Sequence, residues 1–271
     1  MTSIQKLIKL IADAIAIGLV VSIIGSAATL VLTISGITAI RDEIREAKAN
    51  EEFTLYSVEN NVSNISLDLS VSSLAIKQGD NFSVYYGDGF GIRSKNGILY
   101  IEDDATQLLD FTDSRTVIIT VPKNKTLDKV SISSGLGSIY IEKLTCDRLD
   151  LDLGIGSTDI DYIKASSKAD IDGGIGNITI AKGVIGNLDY SVGIGKSDIT
   201  AKLSGNSEIE AGIGDVKLSL LGGQNIYTLK GEAGIGPIRV GSETLSGKMG
   251  IGENKVDIDG GIGAVKIDFA A

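Results

Sequence analysis

Short runs of alternating apolar and polar residues fill the chain from residue 53 to its end. In a β-strand, such alternation turns one face toward a core and the other toward water. Gly, Asn, Asp or Ser bounds each run, which is typical of strands that are joined by turns. The first six runs are 53–58, 65–76, 82–86, 98–101, 117–121 and 130–132. The pattern predicts an all-β body for residues 53–271.

The tripeptide Gly-Ile-Gly, once replaced by Gly-Leu-Gly, recurs eight times in the second half of the chain. Its glycine pairs are Gly135/Gly137, Gly154/Gly156, Gly174/Gly176, Gly193/Gly195, Gly212/Gly214, Gly234/Gly236, Gly250/Gly252 and Gly261/Gly263. Successive starts are 19, 20, 19, 19, 22, 16 and 11 residues apart. A period near 20 residues is typical of a solenoid, in which each coil covers the hydrophobic face of the next. The shorter last spacings predict a tapering end or a terminal hairpin.

Each repeat reads as strand, Gly-Ile-Gly, strand and connector. We expect the glycines to permit a tight corner, and the residues between them to point inward and stack as the core. These residues are Leu136, Ile155, Ile175, Ile194, Ile213, Ile235, Ile251 and Ile262. A series of antiparallel hairpins is the alternative, but hairpin loops favour Asn-Gly or Asp-Gly. The interpretation is therefore a β-solenoid (β-helix) with coils of about 20 residues.

The repeat extends toward the N-terminus in a diverged form. The segment 67–76 aligns with 151–160, with Ser70 and Ser72 in place of the glycines and Val71 in place of the central isoleucine. We therefore predict a diverged cap with the first coils at 53–134 and the regular repeat at 135–271.

The N-terminal part of the sequence has a different character. No charged residue occurs from Ala14 to Ile40, a stretch of 27 positions, whereas a bilayer-spanning helix needs about 20. The sequence predicts an N-terminal segment and single transmembrane anchor over 1–40, with the span at 14–40, and a solvated helical stalk at 41–52. Small residues at 25–27 leave a cleaved signal peptide as the alternative. The apolar run continues to Ile34, which favours an uncleaved anchor.

Orientation and packing of the anchor are less constrained. Two Lys precede the span and three Lys or Arg follow it, so the positive-inside rule does not decide which side carries the body. We expect the body to be extracellular because of its own character. Gly18, Ser22 and Ser26 share one helix face, where they would allow close packing with another helix, although a plain lipid-facing helix fits as well.

Charge and composition exclude several kinds of function. The formal net charge is -10, and from residue 51 onward 20 bases face 31 acids. An acidic body repels phosphate backbones, which excludes nucleic acid as the expected partner. The sequence contains no histidine, the commonest general base and metal ligand, and no tryptophan. Cys146 is the only cysteine, so no intrachain disulfide or thiolate cluster can form, and we expect a small buried or strand-edge thiol rather than a nucleophile.

The sequence contains no common phosphate-binding or dinucleotide-binding motif. No glycine pair carries a third glycine at dinucleotide spacing, and no Gly-Lys-Ser/Thr occurs. The segments 170–176 and 257–263 are similar to calcium-binding β-rolls, but the period near 20 does not fit them. Paired acids such as Asp150/Asp152 and Glu208/Glu210 follow from strand alternation alone. We therefore expect no catalytic, cofactor-binding or metal-binding residues, no cofactor and no enzymatic activity. A polysaccharide-active β-helix enzyme is kept as a distant alternative.

Several segments together resemble a known family. They are 80–86 (Asp-Asn-Phe-Ser-Val-Tyr-Tyr), 95–102 (Lys-Asn-Gly-Ile-Leu-Tyr-Ile-Glu), 117–123 (Val-Ile-Ile-Thr-Val-Pro-Lys) and 127–141. Their order resembles the bacterial putative-adhesin family with β-strand repeats, over residues 53–269. That family often has Gly-Ser-Gly-Asp, whereas this chain has Ile between the glycines and Asp only at Asp215. The resemblance implies a β-helical surface domain behind a membrane anchor, and it carries no catalytic residues to transfer.

Two functions follow as hypotheses. The first is a membrane-anchored surface protein, an adhesin or cell-envelope interaction module, that presents a regular acidic face to a cell-wall polymer or another envelope protein. The second is an accessory or regulatory component of a cell-envelope stress response. Both place the chain in the cell membrane as a single-pass protein, and the sequence leaves its oligomeric state open.

Overall fold

The computed structural model describes residues 53–103 and 115–270, and over these residues 23 β-strands form one stack. Most neighbouring strands in the stack are parallel, as the solenoid interpretation requires and the hairpin alternative does not. The all-β solenoid is therefore confirmed. No helix within the described residues is both long and apolar enough to cross a membrane. The predicted span at 14–40 and the stalk at 41–52 lie outside the described residues.

Two faces of parallel strands run the length of the stack. The first face contains, in order of stacking, β6 (Ile98–Asp103), β2 (Asn64–Val71), β8 (Leu127–Leu136), β10 (Leu144–Ile155), β12 (Ile163–Asp172), β14 (Leu188–Ser191), β16 (Asn206–Glu210), β22 (Asn254–Asp259) and β18 (Tyr227–Glu232). The second face contains β7 (Thr116–Pro122), β3 (Ser73–Gly79), β9 (Ile139–Ile141), β11 (Thr158–Ile160), β13 (Ile178–Gly186), β15 (Ser197–Ser204), β17 (Val216–Leu221), β23 (Val265–Ala270) and β19 (Ile238–Val240). In the middle of the stack, parts of β10, β12, β13 and β15 pair again to form a third side.

The order of coils in space differs from their order along the chain at both ends. The strands β6 and β7 stack outside the coil at 64–79, and the coil at 227–240 stacks outside the coil at 254–270. The irregular last repeat spacings therefore arise because the chain passes to the outermost coil and then returns beneath it. Sequence spacing alone did not predict this exchange.

Antiparallel strands cover both ends of the stack. They are β1 (Thr54–Ser57), β4 (Ser83–Tyr86) and β5 (Phe90–Lys95) at one end, and β20 (Glu243–Thr244) and β21 (Gly247–Gly250) at the other. A parallel stack without such covers would expose unpaired backbone groups that template aggregation. The glycine pair Gly250/Gly252 belongs to this cover rather than to a solenoid corner.

The core consists of inward columns, one residue from each coil. The first face contributes Leu67, Ile132, Leu151, Ile171, Tyr190, Ile209 and Ile258, and the second contributes Ile76, Ile141, Ile160, Ile180, Ile199, Leu218 and Ile267. Where the first face carries the large Tyr190, the second carries the small Ser197, and their hydroxyls lie 2.5 Å apart. The small Ser197 side chain thus leaves room for the large Tyr190 ring, and the buried tyrosine hydroxyl keeps a hydrogen-bond partner.

The residues between the paired glycines are not part of this core, so the prediction that they point inward is wrong. Ile155, Ile213 and Ile262 are 45%, 46% and 50% exposed, and Ile235 is 82% exposed. Ile175 and Ile194 are half-buried. At the corner the two glycines lie directly against the backbone of the neighbouring coil, and the residue between them projects outward.

Asp103 completes the corner of the coil that begins at β2. Its carboxylate accepts hydrogen bonds from the N–H of Ser70 (2.6 Å), the N–H of Val71 (2.9 Å) and the hydroxyl of Ser72 (2.7 Å). In the regular coils, carbonyl groups of the preceding corner accept such bonds. Burial raises the pKa of Asp103, but the hydrogen bonds from Ser72, Ser70 and Val71 together outweigh it and hold the pKa below its ordinary value.

We expect Asp103→Asn to destabilise the protein by about 1–3 kcal/mol at neutral pH, because an amide leaves at least one of these donors without an acceptor. Since the folded-state pKa is lowered, the carboxylate stabilises the fold above its unfolded pKa, and this contribution is lost as the pH falls through the folded pKa. Urea titrations at several pH values would measure this. The exposed Asp68→Asn is the control, and equal stability of Asp103→Asn and the parent at neutral pH would contradict the assignment.

Candidate functional site

The outward surface is built at the Gly-Ile-Gly corners, where two causes require glycine. A Cβ at Gly154 would lie 2.0 Å from the carbonyl oxygen of Gly135, and one at Gly156 would lie 1.8 Å from that of Gly137. Gly156 also has a φ of 155°, a conformation that side chains penalise. The predicted conformational role is therefore confirmed for the second glycine. The close approach of successive corners is an additional cause, and it applies to both.

The apex residues form one continuous column, here called the aliphatic ladder. Its members are Val71, Leu136, Ile155, Ile175, Ile194, Ile213 and Ile262, each paired in parallel with the next. The backbone of each rung is bound on both sides. The N–H of Ile194 donates to the carbonyl of Gly174 (2.8 Å), and the N–H of Gly195 donates to the carbonyl of Ile213 (2.9 Å). The ladder is thus a rigid apolar ridge along one edge of the solenoid.

The first face carries two outward columns of carboxylates, here called the acidic face. One column is Asp150, Asp170, Asp189, Glu208 and Asp257, and the other contains Asp152, Asp172, Glu210, Asp259 and Glu232 with Ser191 between the second and third. Neighbouring strands lie about 4.8 Å apart, so like charges are stacked at nearly that spacing. Like charges directly opposite each other destabilise a sheet.

Lysines offset part of this charge. The Lys168 Nζ lies 2.8 Å from a carboxylate oxygen of Asp170 and 3.6 Å from one of Asp189, and the hydrogen bond to Asp170 raises the Lys168 pKa. The Lys129 Nζ lies 3.2 Å from Asp150. These exposed pairs contribute little to stability. The column that contains Asp152 adjoins the aliphatic ladder.

The second face has a mixed outward column that changes sign along the stack. It runs through Asp159, Thr179, Asp198, Lys217, Lys266 and Arg239. Burial raises the pKa of Asp159 and the nearby Asp161 raises it further, despite a hydrogen bond from Thr179 that lowers it. The Lys217 Nζ lies 3.2 Å from Asp198. The corner thus separates the two carboxylate columns of the first face from an outward column that is basic only toward the end with β19.

The groups considered from sequence are not brought together for chemistry. Asp150, Asp152, Glu208 and Glu210 all face outward on the acidic face. Within the residues that the structure describes, no group of three or more metal-ligating side chains could hold an ion. Cys146 is buried, and burial together with Asp147 raises the pKa of its thiol to about 12. It is therefore a neutral core group near pH 7.

The sequence predicts the acidic face, but it does not predict that the residues of the aliphatic ladder face outward. Strict alternation places Ile155 on the same side as Leu153, which is buried. The corner shifts that phase, so Ile155 faces outward and Ser157 is buried again. The glycine pairs were the available signal, because they mark the corners at which the alternation is interrupted.

The fold and its surface define a parallel β-solenoid repeat protein with an acidic face and an apolar edge. The sequence matches the family described as Toastrack DUF4097 over residues 43–263, and the chain belongs to this family. The predicted resemblance to bacterial putative-adhesin repeat proteins is confirmed at the level of family. No curated protein matches the chain.

Solved structures with similar folds include proteins named as putative adhesins and as a putative lipid binding protein. A putative adhesin from Bacteroides fragilis is 18% identical, with 80% of this chain and 98% of that chain covered and a TM-score of 0.48. A putative lipid binding protein from Parabacteroides distasonis is 16% identical, with 80% and 97% covered and a TM-score of 0.40. A putative adhesin from Parabacteroides merdae is 13% identical, with 82% and 98% covered and a TM-score of 0.34. At this level of similarity, the ligands of those proteins carry no argument for this chain.

Proposed function

We propose that the chain is a non-enzymatic binding module of the bacterial cell surface, and that its acidic face binds a basic cell-wall polymer or a basic envelope protein. The observation that carries the proposal is the stacking of carboxylates directly above one another. Folding does not explain this arrangement, since opposed like charges destabilise a sheet. A cationic partner would relieve the repulsion, and it would meet charges held at a fixed spacing on a rigid surface.

The chemistry of the chain supports a binding role rather than catalysis. It contains no histidine, its one thiol is a neutral buried group, and its carboxylates line an open face instead of a cleft. General acid–base and nucleophilic catalysis need a positioned group with a suitable pKa beside the substrate. The proposed module includes the uncleaved anchor at 14–40, which would hold the body outside the cell membrane.

Binding of the purified full-length protein to cell walls isolated from the producing bacterium tests the acidic face. We expect binding to weaken with rising salt, and the triple variant Asp170→Asn, Glu208→Gln, Asp257→Asn, in the column farther from the aliphatic ladder, to bind at least roughly tenfold more weakly. The control removes three exposed acids from the covers and loops, with Glu59→Gln, Asp88→Asn and Glu243→Gln. Equal binding of both triple variants, or none by the parent, would remove the proposal.

The anchor and the alternative function need separate measurements. Release of the full-length protein by alkaline carbonate would contradict the anchor, and protection of the body from protease in intact cells would contradict the outward orientation. Gene deletion distinguishes surface attachment from stress signalling. An intact response to wall-active antibiotics with loss of attachment supports the binding role, whereas the reverse result would favour an accessory role in envelope stress.

A further inference from the structure

The aliphatic ladder is an exposed apolar surface that the proposed binding role does not use. Seven aliphatic side chains follow one line, and Ile155, Ile213 and Ile262 are each about half exposed. Single exposed apolar residues are ordinary, but an unbroken patch on the order of a few hundred Å² marks an interaction site. Folding does not require isoleucine here, because the side chain lies outside the core. The ladder therefore needs a partner rather than a packing explanation.

The shape of the ladder selects the kind of partner. Its rungs stand on a convex corner, so no groove is present to enclose a peptide or a small molecule. A ridge of evenly spaced side chains is complementary to a surface that repeats at the same spacing, about 4.8 Å per rung. A second copy of this chain has the same spacing, so each of its rungs can pack against a rung of the first copy and exclude water between them. The hydrogen bonds that fix each rung also reduce the entropy lost on association.

We propose that the aliphatic ladder is the seam of a twofold dimer of this chain, with the two solenoids side by side and parallel. The seam is isologous, so each rung meets the same rung of the other copy. Two ladders together provide an interface near the lower limit of about 1,000 Å² for stable complexes. The dimer is accordingly a modest one, and anchoring both copies in one membrane would strengthen it through effective concentration.

Charge selects the parallel orientation. A twofold axis along the stack places the acidic face of one copy beside the second face of the other, at the same level. Three coils then oppose acids to bases: Glu210 to Lys217, Asp259 to Lys266 and Glu232 to Arg239. One coil opposes Asp152 to Asp159. An antiparallel seam would instead bring the two acidic faces to the same side, without the facing lysines and arginine of the second face.

Sedimentation of the full-length protein in a density-matched mild detergent tests the seam. We expect a concentration-dependent dimer, and we expect Ile213→Lys to weaken it at least roughly tenfold, because it places two like charges in an apolar seam. Leu55→Lys is the matched control, since Leu55 is 52% exposed on β1, away from the ladder. An equal effect of both substitutions, no effect of Ile213→Lys, or a monomer at all concentrations would overturn the proposal. Unchanged melting of Ile213→Lys would show that it remains folded.

Cysteine cross-linking tests the orientation without adding charge. In a parallel seam Ile213 meets Ile213, so oxidised Ile213→Cys should form a covalent dimer by itself, while Leu55→Cys should not. In an antiparallel seam Ile213 would meet Leu136, and cross-links would form only when Ile213→Cys and Leu136→Cys are mixed. That result would overturn the parallel arrangement. A third outcome is a monomeric protein that floats with phosphatidylcholine vesicles and loses this binding when the ladder carries Ile213→Lys. That outcome would identify lipid as the partner of the ladder and overturn the dimer.

Discussion

Gly195→Ala is expected to prevent folding or to destabilise the protein by at least about 4 kcal/mol, in the exceptional range for one substitution. The added Cβ would lie 1.8 Å from the carbonyl oxygen of Gly176, which belongs to the hydrogen-bonded corner of the neighbouring coil. The residue also has a φ of 147°, which an alanine adopts only with strain. Relief would require two coils to separate, and each corner is bound to the next along the whole ladder.

Thermal or urea unfolding followed by circular dichroism measures this effect. Gly87→Ala is the control, because nothing lies within 4 Å of a Cβ built at Gly87 and its φ is not in the left-handed region. We expect that substitution to be neutral or slightly stabilising. A Gly195→Ala protein that unfolds close to the parent would contradict the close packing of corners. Gly193→Val should also destabilise, but through contact with the Gly174 carbonyl, 2.0 Å from the Cβ, rather than through φ.

Ile209→Asp is expected to cost several kcal/mol, whereas Ile213→Asp should cost about 1 kcal/mol or less. The two isoleucines lie four residues apart in one coil. Ile209 is 1% exposed, so its replacement buries a carboxylate without a partner, whereas Ile213 is 46% exposed and its replacement leaves the carboxylate in water. The same reasoning applies to Ile194. If it pointed inward, as the sequence predicts, aspartate at this position would cost several kcal/mol. Since Ile194 is only half-buried, the expected cost there is smaller than at Ile209.

Urea unfolding of the two variants, compared at the same pH, gives the difference directly. Both variants exchange isoleucine for aspartate, and the two positions lie four residues apart. Effects of the new charge on the unfolded chain therefore nearly cancel in the comparison. Similar large losses of stability at both positions would show that the apex residues belong to the core. That result would remove the basis for the dimer seam. Similar small losses would contradict the inward column that contains Ile209.

The interaction surfaces lie side by side and have different origins. The acidic face is visible in the sequence, because strand alternation separates Asp150 and Asp152 from the leucines between and beside them. The aliphatic ladder is not visible in the same way, although the two surfaces share the corner. If both proposals hold, dimerisation through the ladder would leave the outer acidic column of each copy available to a cell-envelope partner.

The sequence by itself determined the all-β class, the solenoid and the coil length. These follow from local rules that repeat in each coil: alternation gives the strands, paired glycines give the corner, and the period sets the perimeter. It also determined that the acids around Asp150 form an outward face, whereas it left Cys146 as either a buried or a strand-edge thiol, and the structure buries it. Each of these properties depends on neighbours within a few residues, or on a spacing that recurs without change.

Only the tertiary structure decided the remaining features, because they depend on contacts between coils. Ile155 faces outward at a corner whose glycines pack against the backbone of the adjacent coil, and alternation along one strand contains no information about that corner. The exchange of the outermost coils depends on which strand edges pair across long stretches of chain. The role of Asp103 likewise appears only when its carboxylate meets Ser70, more than 30 residues earlier in the sequence, at the corner where no repeat precedes it.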